Sequence, residues 1–103
     1  KAVVAQRDAL VRRDAERRRA EAIVAEADRR LIELEALYGR ASKTVGKARV
    51  AELLDRMKAA RQAGSGLILL YEEDDYARVI AGEKAAFETL DAVRESLQLA
   101  QTP

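Results

Sequence analysis

VVAQRDALVRRDAERRRAEAIVAEADRRLIELEALY, residues 3–38, contains neither glycine nor proline and consists almost wholly of residues that favour helix. A seven-residue frame fits it: Val3, Gln6, Leu10, Arg13, Arg17, Ala20, Val24, Ala27, Leu31, Leu34 and Tyr38, eight of the eleven apolar. Steps alternating between three and four keep one stripe of a helix turned toward its neighbours, as in a coiled coil. The stretch predicts one long helix over about residues 1–38.

On the C-terminal side, Gly39 stands where it would cap that helix, and Ser42 or Thr44 where the next would start. Val50, Leu53, Leu54, Met57 and Ala60 then recur at helical spacing up to Gly64-Ser65-Gly66, which reads as a turn. The second helix is expected over about 45–63 and the third over about 67–100. The seam of the third reads Leu69, Glu72, Tyr76, Val79, Glu83, Ala86, Leu90, Val93, Leu97 and Ala100, with Gly82 beside it as a site for a kink. The fold class expected is all-α: a three-helix, coiled-coil-like bundle running up, down and up, one helical domain over residues 1–103.

Composition agrees with a bundle that has little interior. Hydrophobic residues make up 49% of the 103, but 21 of them are Ala, leaving 29 larger apolar side chains. That number fills a narrow seam between helices, not a wide core. The absence of Cys and His removes disulfides, thiol nucleophiles, imidazole bases and the usual zinc ligands. No enzymatic activity, cofactor or metal is therefore expected. The longest apolar run, Leu67 to Tyr71, is far shorter than the roughly 20 residues that cross a bilayer. With no charged-then-apolar leader at its start, the chain is expected to be cytoplasmic and to use no membrane.

Helix length is the most informative quantity. At 1.5 Å per residue a 38-residue helix is ~57 Å long, against a radius of gyration of ~13 Å for a compact chain of this size. A second helix of about 18 residues covers half of it. Roughly the first 20 residues of the first helix, and the end of the third, are left without neighbours. Both stretches keep apolar seam residues, and an apolar stripe in water usually has a partner. The predicted partner interface is Val3, Leu10, Arg13, Arg17, Val24, Leu31, Leu90, Val93 and Leu97. The partner is expected to be a second copy, in a homodimer, or another helical protein. Arg13 and Arg17 would fix register by pairing with acids across the contact. Charge supports docking of one part on another: residues 1–63 carry 16 Lys/Arg against 10 Asp/Glu, residues 64–103 carry 3 against 8.

The alternative function is nucleic-acid binding by an arginine-rich helical arm. Arg12, Arg13, Arg17, Arg18 and Arg19 lie within eight residues, and Lys43 and Lys47 add two more cations. Against that, Asp8 to Arg12 and Asp14 to Arg18 are four-residue acid-to-base pairs of a solvated helix face, and no aromatic lies nearby to stack on bases. Arg40-Ala41-Ser42-Lys43-Thr44-Val45-Gly46-Lys47-Ala48 resembles a segment near the tip of the seryl-tRNA synthetase N-terminal arm, an antiparallel hairpin that grips tRNA. The resemblance covers nine residues and implies RNA binding; the extra helix before Gly64 departs from the two-helix plan.

Glu72-Glu73-Asp74-Asp75 resembles a metal cluster in composition only, because consecutive helical residues are spread by about 100° and cannot converge on one ion. The all-helical nucleotide pyrophosphatases pair two such clusters, and the second is missing here. The run is expected to be a surface patch that docks on the basic half. A carboxylate enzyme around Glu72 and Glu83 likewise lacks a convergent set. Tyr71 to Asp75 is similar to the Tyr-x-x-x-Asp/Glu signal of type VII secretion substrates, but it lies mid-chain and the Trp-x-Gly turn of that family is absent.

Overall fold

The computed structural model describes residues 2–101; Lys1, where the first helix is expected to begin, and residues 102–103 of the expected domain lie outside the described residues. Among the described residues there are three helices and no strand: α1 (Ala2–Thr44), α2 (Lys47–Glu72) and α3 (Tyr76–Ala100). Each packs on both others. Directions follow from ion pairs between helices: Arg61 of α2 meets Glu35, Arg19 meets Glu83 and Arg30 meets Asp91. Residue numbers rise together along α1 and α3, so these two are parallel and α2 returns between them. The all-α, three-helix arrangement is as the sequence predicts.

The seams explain why. Along α1, Ala20, Ile23, Ala27, Leu34 and Ala41 are buried, and Val24, Leu31 and Tyr38 are half-buried. Ile23 lies outside the seven-residue frame, whereas Ala41 is its next step beyond Tyr38. Ile23 widens the stripe because α1 packs on two helices at once, which takes a broader apolar face than a two-stranded seam. Along α3 Tyr76, Val79, Ala86, Leu90, Val93 and Leu97 of the predicted seam are buried and Glu83 and Ala100 half-buried, whereas its first two positions, Leu69 and Glu72, lie exposed on α2. Two apolar clusters stack along the bundle, one around Leu34, Met57, Leu90 and Leu97, the other around Ile23, Leu67 and Val79, with Phe87 packed against both.

Two predicted boundaries are overturned, both at glycines. Gly39 does not cap α1: the helix continues to Thr44, and the Ser42 and Thr44 hydroxyls donate back to the Gly39 and Ala41 carbonyls. Carrying Ala41 into the core offsets the ~1 kcal/mol that a helical glycine costs. Gly64-Ser65-Gly66 is not a turn either but lies inside α2, so Leu67–Tyr71, expected in the third helix, belongs to the second. Gly64 and Leu67 continue the buried sequence Leu53, Met57, Ala60 at the same steps of three and four. Gly82 leaves α3 unbroken and admits Leu67, whose Cδ2 would stand 3.2 Å from a Cβ there.

The chain turns instead at the acidic run. Glu72 ends α2; Asp74 takes φ 60°, and the Asp74 and Asp75 amides donate to the Tyr71 and Leu70 carbonyls. This is the left-handed closure that usually takes glycine. Asp75 then caps α3, its carboxylate accepting from the Arg78 amide. The run expected on a helix is therefore mostly the α2–α3 turn.

These corrections shorten the unpaired part of α1. α2, longer than expected, covers more of α1, and α3 begins level with Arg13, whose guanidinium lies 5.4 Å above the Tyr76 ring. At the other end Gln101 donates to the Leu37 carbonyl, so α3 stops short of the end of α1 and overhangs nothing. The molecule measures 67 × 18 × 16 Å, with residues 2–12 of α1 projecting alone beyond the bundle.

Candidate interaction surface at the free end of the first helix

The projecting segment is an arm of about three helical turns, ~16 Å long. Val3 and Leu10 are 75% and 68% exposed, and Val4 and Val11 are nearly as open. They lie within a third of the helix circumference, because residues 3, 4, 7, 10 and 11 share one face. Four large aliphatic side chains in nine residues form the densest exposed apolar group among the described residues. Beneath the arm a cleft of about 210 Å3 is bounded by Leu10, Arg13, Asp14, Arg17 and Tyr76.

The floor of that cleft is fastened on two sides. Tyr76 packs on Tyr71 with ring centroids 5.6 Å apart, and its hydroxyl donates to Asp74. That bond to a carboxylate, with burial adding to it, raises the Tyr76 pKa above 10.0. Arg13 covers the ring from α1. A cation over an aromatic face is favourable and holds the root of the arm to the start of α3.

The predicted interface residues divide into three groups. Val3 and Leu10 stand open on the arm, and Arg13 and Arg17 line the cleft at its root. Arg17 is occupied on its own helix by Asp14 at 2.8 Å and Glu21 at 3.4 Å, so it needs no acid from a partner. Val24 and Leu31 pack against the chain's own core. Leu90, Val93 and Leu97 are enclosed by α1 and α2, Leu97 completely, and cannot face a second protein in this fold. A second helix of about 18 residues would leave the end of the third uncovered; the 26 residues of α2 do not.

The cations of the alternative reading are not brought together. Arg19 and Lys43 are separated by 24 residues of one straight helix, ~36 Å, with Lys47 beyond. Asp14 binds both Arg17 and Arg18, Arg19 meets Glu83, and the Asp14 carboxyl is held low chiefly by its bond from Arg17. The predicted Asp14–Arg18 pair is thus made, whereas Asp8 and Arg12 form no ion pair among the described residues. No group of three or more acidic side chains among the described residues is placed to hold a metal ion. No helix among them is long and apolar enough to cross a membrane. Comparison with protein-family models, with curated proteins and with solved structures finds no match.

Proposed function

We propose that this chain is a helical association module, working in the cytoplasm and carrying out no chemistry of its own, whose arm docks on a helical partner. The observation that carries this reading is the arm. Residues 3–12 keep aliphatic side chains on one face although none of the described residues covers them. Burying one such side chain stabilises by about 1.5–3 kcal/mol, a gain available only through association. A helix this short is also marginal by itself in water, so a partner that covers the face would fix its conformation.

Sedimentation equilibrium and hydrogen exchange test the reading. The mass should rise above 11.4 kDa with concentration toward about 100 μM, and amides of residues 3–12 should gain protection in step. Leu10→Asp should abolish both effects. Arg12→Gln, Arg17→Gln and Arg18→Gln together should leave them in place. Micromolar binding of tRNA or duplex DNA at ~150 mM salt that collapses in that triple variant would instead establish the nucleic-acid reading.

A further inference from the structure

The free end of the molecule carries two unlike features side by side. The arm is basic, with Arg7 and Arg12 against Asp8. The α2–α3 turn at its foot is acidic, with Glu72, Glu73, Asp74 and Asp75 in succession. Each has charges the chain itself leaves unneutralised: Arg7, Arg12, Glu72 and Glu73 form no ion pair among the described residues. They do not pair with one another because the arm points away from the turn along the axis of α1.

We infer that, if the arm is an association element as proposed above, its partner is a second copy, bound antiparallel about a twofold axis through the arms, with each arm lying over the acidic turn of the other molecule. The pole is self-complementary in this arrangement, as a twofold contact requires. With residue 2 of one arm level with residue 13 of the other, Val4 of the apolar face comes level with the second copy's Val11 on the same face. Of Arg7 and Arg12, Arg7 then lies nearer the second copy's turn, where Glu72 and Glu73 await a counter-charge. Arm (residues 2–12) and turn (residues 72–75) together bring about 15 residues a side, below the 20–30 typical of stable complexes, so the contact is a weak, concentration-dependent one. An arm-to-arm contact without the turn would be smaller still.

A charge exchange tests the arrangement. Arg7→Glu makes the arm acidic, and Glu72→Lys with Glu73→Lys makes the turn basic; neither touches the Asp74 bend or the Asp75 cap. Each variant alone should self-associate at least about tenfold more weakly than the wild type, because like charges then face each other. An equimolar mixture should form a heterodimer, since the acidic arm of one meets the basic turn of the other, and so should a chain carrying all three changes with itself. Circular dichroism checks that both variants keep their helices. Self-association equal to wild type in both variants, or a mixture no stronger than its parts, overturns this inference while leaving the arm as an association element. A wild-type chain that stays at 11.4 kDa at every concentration overturns it too, with the nucleic-acid titration then deciding the broader reading.

Discussion

A methyl group added to Gly64 would stand 2.3 Å from Leu31 Cδ1, so the second helix rests on the first through a bare backbone at this point. Gly66, two residues on, has nothing within 4 Å of the same position. The pair gives opposite expectations inside one helix. Gly66→Ala should stabilise by about 0.4–1 kcal/mol through lost chain entropy, whereas Gly64→Ala must displace Leu31 and should cost about 1–3 kcal/mol. Urea denaturation of the two variants checks this. A cost at Gly66 as large as at Gly64 would favour a turn there.

The third-helix seam gives the sharpest packing prediction. Leu90 is 1% exposed in the cluster with Met57 and Leu34, so Leu90→Ala should cost about 2–5 kcal/mol. Leu10→Ala, on the arm, should stay within about 0.5 kcal/mol when the chain is dilute enough to be monomeric. A loss below about 0.5 kcal/mol at Leu90 would place it outside the core.

At the α2–α3 turn, Asp75 satisfies an amide at the start of α3. Asp75→Ala should therefore cost about 1 kcal/mol, and Asp75→Ser or Asp75→Asn much less, because either side chain can accept the same hydrogen bond. Thermal denaturation of the three variants separates capping from charge: equal losses in all of them would make the carboxylate charge the important property.

Acid should loosen the bundle at one named carboxylate. Bonds from Arg29 and then Arg30 hold Glu26 at about 2, below its ordinary 4.5. The folded value lies below the unfolded one, so the contribution is complete above about pH 4.5 and is lost as the pH falls through about 2. Arg30 also reaches Asp91 and lies 4.4 Å above the Phe87 ring, so it joins α1 to α3. The urea midpoint should fall across this window, and Glu26→Gln should flatten part of that fall. An unchanged slope in the variant would mean the pairing contributes nothing.

Periodicity made most of the fold legible. From Ala20 to Tyr38 and from Tyr76 to Leu97 the apolar spacing identifies the inward side, because a straight helix leaves few alternatives. The glycines misled. Gly-Ser-Gly reads as a break from propensity alone, yet Met57, Ala60, Gly64 and Leu67 already carry the seam across it. The bend at Asp74 gave no such signal, since a left-handed aspartate is uncommon and a short acidic run passes for a solvated face. The arm was visible as surplus helix length, but its true extent depended on where α2 ends. A second helix ending at residue 63 would leave Leu90, Val93 and Leu97 uncovered, whereas one ending at Glu72 lets α1 and α2 enclose them.

The elongated shape has a consequence for how the molecule moves through a porous matrix. Its radius of gyration of 17.9 Å is that of a compact chain of about 250 residues, more than twice its length. A single copy would therefore sieve ahead of globular standards of equal mass and tumble slowly about its short axes. Elution volume and rotational correlation time would both give a lone rod the signature of a pair.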